Sequence, residues 1–259
     1  MGRRSEAVSI FKKALRFALS LLPVSFAAGV FIIFYQLNTL PEDMVAEVLT
    51  EMPNMTVLAL VSGVQAAAYA FVCGIFGYVL AVKVGLWKSF EFNKKHALTT
   101  LIICVLGGIV FSLDHWIFGS FIDGIQEANA ASLNAAGVIA SVLYGGVVEE
   151  VMLRLFLMSL MAFIIHKIFC RKCSGENMPV WVFALANIIA ALAFAASHLP
   201  ATAVLFGELT PLILLRCFLF NGGFGLLFGW LFRKYGIAYA MAAHALFHIV
   251  SKLIWFIFV

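Results

Sequence analysis

Charge is what this chain has little of: 12% of its 259 residues are Asp, Glu, Lys or Arg, against 64% hydrophobic. Its mean hydropathy is +1.05. Soluble domains run at roughly 25% charged and 45–50% apolar, so a water-soluble globule is excluded. The sequence also lacks a soluble domain, a long linker and an internal repeat, and the last absence weighs against a transporter built on inverted repeats. Its longest connections are an acidic stretch at 38–54 and an Asn/Ala-rich one at 121–136. Nothing points to nucleic acid as a partner; the net charge of +4 is better read as anchoring against anionic headgroups. The absence of any organelle-targeting segment favours a prokaryotic plasma membrane. Cysteines number only five. Cys73, Cys104 and Cys217 fall in apolar runs as small packing residues, and Cys170-x-x-Cys173 lacks two further nearby ligands, so it reads as reduced thiols rather than a zinc site.

What is present is a series of apolar windows near the ~20 residues a helix needs to cross ~30 Å of hydrocarbon. They fall at 14–35, 55–86, 97–120, 137–168, 179–200, 211–232 and 237–258. The fold class is therefore an all-α, polytopic transmembrane bundle of about seven spans, with room for an eighth. Residues 1–136 would supply three N-terminal spans and 137–259 a functional core of four, within one integral membrane domain. With the N-terminus cytoplasmic, Lys and Arg collect in the inner segments, while the three outer loops contain neither and carry acids such as Glu42, Glu47, Asp123 and Glu208. The apolar run from Phe17 to Tyr35 outlasts a signal-peptide core, so it is read as a retained first span. Residues 5–16 could lie in the interface as a short separate helix, with Ile10, Phe11 and Ala14 toward lipid.

Within the fourth window stands Glu149-Glu150, with Arg154 four residues on. Each charge at bilayer depth costs at least ~2.5–3.5 kcal/mol, so three within six positions need partners or an aqueous cavity. On an α-helix Glu150 and Arg154 share a face with the acid first, the better order for an ion pair. Glu149 then turns roughly 100° away without a local partner, which makes it the working carboxylate and leaves Glu150 and Arg154 as a structural clamp. Later windows bring His198, and His244 with His248 at i, i+4, a spacing that lets two rings grip one oxyanion or one metal ion. His96, His115 and His166 are read as interfacial. Arg216 would snorkel outward or pair with an acid, Lys252 would reach the outer interface along its stem, Asn187 would bridge helices, and Gly225-x-x-x-Gly229 would allow close packing.

Taken in order, the motifs Glu149-Glu150 with Arg154, Phe194 with His198, and His244 with His248 resemble the CAAX-processing and bacteriocin-processing intramembrane proteases, related to the type II CAAX prenyl endopeptidases. The likeness covers residues 137–255. It implies an endopeptidase in which Glu149, helped by His198, activates water, while His244 and His248 stabilise the oxyanion. The substrate implied is a membrane-associated peptide, either a CAAX-type prenylated tail or a leader. His248 departs from the pattern, since many members have Asn there. No cofactor is required by such a glutamate mechanism, whereas a divalent metal such as zinc would draw on Glu149, His198, His244 and His248. Without H-E-x-x-H, such a site would have to be assembled across helices. Two other classes compete: a proton-coupled transporter, because intramembrane Glu and His also form proton relays, and a non-catalytic immunity or scaffold protein. His198 falls at the outer end of its window, so its helix must tilt or break near Pro200 for the ring to reach the midplane.

Overall fold

The computed structural model describes residues 2–52, 54–171 and 177–259, with side chains from residue 6 onward. Arg3, Arg4, Lys172 and Cys173 therefore lie outside the described side chains, and with Cys173 the C-x-x-C pair. Among the described residues every regular element is helical: α1 (Gly2–Thr39), α2 (Glu42–Glu51), α3 (Met55–Val84), α4 (Lys94–Ser112), α5 (Asp114–Ile117), α6 (Ile125–Ala131), α7 (Ala135–Ala140), α8 (Ser159–Phe169), α9 (Val180–Ser197), α10 (Leu199–Phe206), α11 (Pro211–Cys217), α12 (Gly223–Tyr235) and α13 (Ile237–Phe258). Two wider π-helical segments, Ser141–Met158 and Phe218–Gly222, join α7 to α8 and α11 to α12.

Seven stretches among the described residues are long and apolar enough to cross a bilayer: Glu6–Thr39, Met55–Lys83, Lys94–Ser120, Ala135–Phe169, Val180–Phe206, Pro211–Tyr235 and Ile237–Phe258. They coincide with the seven windows read from the sequence, and no eighth appears among them. Helices are what lipid permits, because every backbone N–H and C=O must find a partner inside the segment. Their outer surfaces stay apolar, as at Leu101, Leu106 and Val110 of α4 and Phe256 and Phe258 of α13, all exposed to the surroundings.

The N-terminal expectation needs correction. Residues 6–16 are not a separate interfacial helix but the start of α1, and Ala14 is fully buried instead of facing lipid. The reason is packing against α3: at Gly74 of α3 an added Cβ would stand 3.4 Å from Ala18, one turn beyond Ala14. Further along, the Ser62 hydroxyl donates to Gly29 O at 2.7 Å.

Turns at one end of the bundle hold each other together. Gly85, at φ 74°, ends α3, and Asn93 caps α4 by accepting from the Lys95 and His96 amides. Lys88 then donates to Lys234 O at 2.9 Å, and Asn93 N–H donates to the Tyr239 hydroxyl, which donates onward to Glu91 O. At the other end the Trp255 indole N–H donates to Ser112 O at 2.9 Å. Between them lies the main core, where Val151, Leu155 and Met158 of the π segment meet Phe228 and Phe232 of α12 and Phe247 of α13. The π segment sits close on two neighbours because glycines face them. A Cβ on Gly77 of α3 would come 2.9 Å from the Leu155 backbone, and one on Gly146 would come 2.8 Å from Ala245 Cβ of α13.

Candidate active site

Glu149 and Glu150 lie in the middle of the long π segment, which closes its hydrogen bonds one residue further on than an α-helix does. Glu150 is fully buried, and Arg154 nearly so at 2% exposure. Their charges pair at 3.3 Å between Arg154 Nη1 and Glu150 Oε1, as the i, i+4 spacing predicts. The angle makes no hydrogen bond there, and both terminal guanidinium nitrogens lack a hydrogen-bond partner. Instead the guanidinium lies over two aromatic faces, 4.5 Å from the Phe194 ring centre and 5.6 Å from that of Phe228.

The division of labour between the acids is less clean than the α-helical reading requires. Glu150 also accepts from His244 Nδ1 at 2.9 Å, so it orients a histidine as well as clamping Arg154. Glu149, at 20% exposure the more open acid, is not alone: its Oε2 stands 4.0 Å from His244 Nε2. The physical reason is the wider turn, whose smaller angular step per residue brings both carboxylates toward one imidazole. The same geometry hydrogen-bonds residues five apart along the backbone. Tyr144 therefore sits one π turn before Glu149, within electrostatic reach of its carboxylate, and Gly145 lies one turn before Glu150. A Cβ on Gly145 would meet His248 Nε2 at 3.2 Å and His244 Nε2 at 3.3 Å, so the glycine leaves the space in which the two rings come together.

His244 and His248 share one face of α13, as their spacing predicts. The rings stack with centroids 5.0 Å apart and Nε2 atoms 3.2 Å apart, and Phe228 covers the other side of His244 at 4.5 Å. Proton counting constrains their roles. An ionised carboxylate only accepts, so the hydrogen of the Glu150 contact belongs to His244 Nδ1. A neutral His244 then offers a lone pair at Nε2, which accepts from His248 Nε2–H. Donation from His244 Nε2 to an oxyanion requires the doubly protonated ring, which here would stand between two carboxylates.

His198 is where the fifth span breaks. Helix α9 ends at Ser197, and α10 restarts at Leu199 with Pro200 in its first turn, where the missing N–H costs nothing. The ring bonds through Nδ1 to Phe194 O at 2.8 Å, which leaves Nε2 to face outward from its own helix. Phe194 stands between the histidines, 4.7 Å from His198 and 6.3 Å from His244, ring centre to ring centre. No direct contact joins His198 to Glu149. The structure thus brings Glu149, Glu150, Arg154, His244 and His248 into one connected cluster and sets His198 against it through Phe194.

Two buried polar groups take forms that the sequence reading missed. Arg216 pairs with an acid, as one of its two readings holds, and the acid is Asp114. The fully buried carboxylate accepts from Arg216 Nε at 2.7 Å and Nη2 at 2.6 Å. Asp114 had gone unremarked among the span acids, although a cation inside the sixth span calls for a carboxylate at matching depth in a neighbour. Lys252 does not reach an interface. It is 6% exposed and donates to Ser132 O and Oγ, both at 2.9 Å. More than a turn of α13 follows it, and the loop before α7 folds back over the bundle end, so the stem turns inward. His115 is buried in α5 near the end of the third span, and His96 stacks on Tyr235 in the first turn of α4. Asn187 donates to Leu226 O at 2.8 Å, bridging α9 and α12 as expected. Gly225 and Gly229 face Ala191 and Asn187 of α9 in close packing.

A metal ion would need three or four of these groups around one point. No cluster of three His, Cys, Asp or Glu side chains close enough to hold one occurs among the described residues.

Compared with known proteins, residues 129–250 match the family model of type II CAAX prenyl endopeptidase Rce1-like proteins. The matched segment begins within α6 and ends within α13, so it contains each acid and histidine of the cluster. No curated protein and no solved structure matches the chain.

Proposed function

From the match of residues 129–250 to the type II CAAX prenyl endopeptidase Rce1-like family model, we propose that this integral membrane protein is an intramembrane endopeptidase of that family whose general base is Glu149. The observation that carries the reading is one partly open carboxylate, Glu149, held beside a fully buried one, Glu150, with His244 between them at 4.0 and 2.9 Å. Amide hydrolysis needs a base, a route for the proton to the departing nitrogen, and donors for the oxyanion. Glu149 takes a proton from water as the water oxygen attacks the scissile carbonyl carbon. The resulting oxyanion is met by His248 Nε2–H, whose ring His244 holds in place from Nε2. Collapse breaks the C–N bond, and the proton held on Glu149 passes to the leaving amine. His198 contributes the lone pair on its outward Nε2, which holds the attacking water against Glu149. Arg154 and Glu150 keep the carboxylate helix and His244 in register.

The substrate is a membrane-associated peptide, a CAAX-type tail or a leader. The N-terminus lies in the cytoplasm of a prokaryotic cell, in accord with the Lys- and Arg-free outer loops.

The test is cleavage of a peptide library by the purified protein in detergent, wild type beside Glu149→Gln, with and without a strong chelator. Loss of cleavage in a folded Glu149→Gln protein supports the assignment, and full activity in that variant sinks it. Loss on chelation would overturn the metal-free mechanism and leave the endopeptidase standing.

A further inference from the structure

Two adjoining cavities, of about 470 and 220 Å³, open at the bundle end that the Lys and Arg distribution assigns to the cytoplasm. Lys88 and Lys234 belong to both. The larger also takes in Glu91, His96, Tyr235 and Tyr239, and the smaller Trp230 and Arg233. Their walls are tied together by packing as well as by the Lys88, Asn93 and Tyr239 hydrogen bonds. A Cβ on Gly236, at φ 99°, would meet Lys88 Cβ at 3.2 Å, so the turn between α12 and α13 lies directly on the loop after α3. His96 stacks on Tyr235 with ring centres 4.1 Å apart and meets Tyr239 edge-on at 5.6 Å. The opening is therefore built by the ends of four packed helices, and it stands at the depth of the lipid headgroups.

Its charge is unbalanced. Three cations, Lys88, Arg233 and Lys234, line the two cavities against one acid, Glu91. No carboxylate pairs with any of the three among the described residues. Lys88 donates to a backbone carbonyl, and Arg233 lies over the Phe183 ring at 5.2 Å. Arg233 and Lys234 suit the C-terminal end of α12, but a helix dipole supplies no formal counter-charge. The surroundings are apolar: Phe90, Phe92 and Trp230 are exposed about the opening, as aromatic rings at headgroup level are. From His96 onward, α4 runs into the bilayer with Leu98, Leu101 and Ile102 exposed. A ligand that answers this whole surface carries a phosphate for the cations and an apolar tail for α4.

We infer that the paired cavities bind one anionic glycerophospholipid of the cytoplasmic leaflet, with its phosphate among Lys88, Arg233 and Lys234 and its acyl chains against α4. A zwitterionic headgroup brings a cation of its own into the same basic opening and is disfavoured for that reason. A water-soluble phosphate answers the lysines and leaves the apolar surroundings unused. The inference is independent of the endopeptidase reading, because none of Glu149, Glu150, His198, His244 and His248 lines either cavity. The bound lipid joins the ends of α3, α4, α12 and α13, and α13 carries His244 five residues beyond Tyr239.

The experiment titrates the full-length protein in a neutral detergent with dioleoyl phosphatidylglycerol or dioleoyl phosphatidylcholine and counts lipid adducts by native mass spectrometry. The expected result is one tightly held phosphatidylglycerol per chain, bound about ten- to hundredfold more tightly than phosphatidylcholine, as charge-assisted bonds to an unbalanced phosphate produce. Arg233→Gln combined with Lys234→Gln should bring that ratio near one. Lys94→Gln combined with Lys95→Gln removes as much charge from the same end of the bundle, outside the cavities, and should leave the ratio unchanged. Equal binding of the two lipids to the unaltered protein overturns the inference without any appeal to a variant. So does a ratio that survives the first double variant, or one that falls alike in both, since attraction would then follow net charge and not a site. Soluble glycerol phosphate added to the same titration tests the need for a tail: displacement at concentrations matching the lipid's own overturns a lipid site in favour of one for free phosphates.

Discussion

Glu150→Gln tests the ionic frame of the site, because the side chain keeps its shape and loses only its charge. The amide oxygen can still accept from His244 Nδ1, where Glu150 Oε1 now stands at 2.9 Å. Arg154, 2% exposed, loses its 3.3 Å counter-ion and retains only the faces of Phe194 and Phe228. Breaking a buried pair from one side costs about 3–5 kcal/mol, since it strands a charge. For a chain of this size that amounts to a fall in Tm of ~6–20 °C, at ~2–4 °C per kcal/mol. Arg154→Met should cost about the same from the other side, leaving Glu150 with His244 alone. Combining the two changes removes both charges together and should recover most of the loss, so the double-mutant cycle carries a large coupling. Thermal unfolding in detergent, followed by tryptophan fluorescence, reads all four proteins. Two additive losses would refute the clamp, and so would an Arg154→Met protein as stable as wild type.

Other outcomes follow from single contacts. Gly145→Ala places a methyl group 3.2–3.3 Å from the facing His248 and His244 nitrogens, so the rings must shift by a few tenths of an ångström. Peptidase kcat/KM should fall about tenfold with little change in Tm, since sub-ångström misplacement of catalytic groups is costly. Asp114→Asn removes the charge from two bonds to Arg216 and should cost about 1.5–3 kcal/mol in unfolding measurements, largely recovered by adding Arg216→Gln.

Much of the bundle was legible in the sequence because lipid imposes a simple rule on it: each ~20-residue apolar window had to become a helix, and seven did. The Glu150–Arg154 pair and the shared face of His244 and His248 were legible for the same reason, as i, i+4 spacings need only local geometry. What escaped the sequence depended on helix type and on distant partners. The π-helical turn at Ser141–Met158 leaves no plain mark in composition, and it moved Glu149 from an isolated acid to a neighbour of His244. Asp114 could have been found by asking which acid lies at the depth of Arg216. Lys252 could not, because its partner Ser132 belongs to a loop whose fold-back no periodicity announces. The break at His198 was legible through Pro200, whereas the edge-on contact of that ring with Phe194 was not.

The imidazole of His244, bonded to Glu150 and set against Glu149 and the His248 ring, makes four side chains from two spans one mechanical unit. A change at the fully buried Glu150 therefore reaches the more open Glu149 through a single ring, so the two acids are not independent positions and their substitutions are expected to act non-additively.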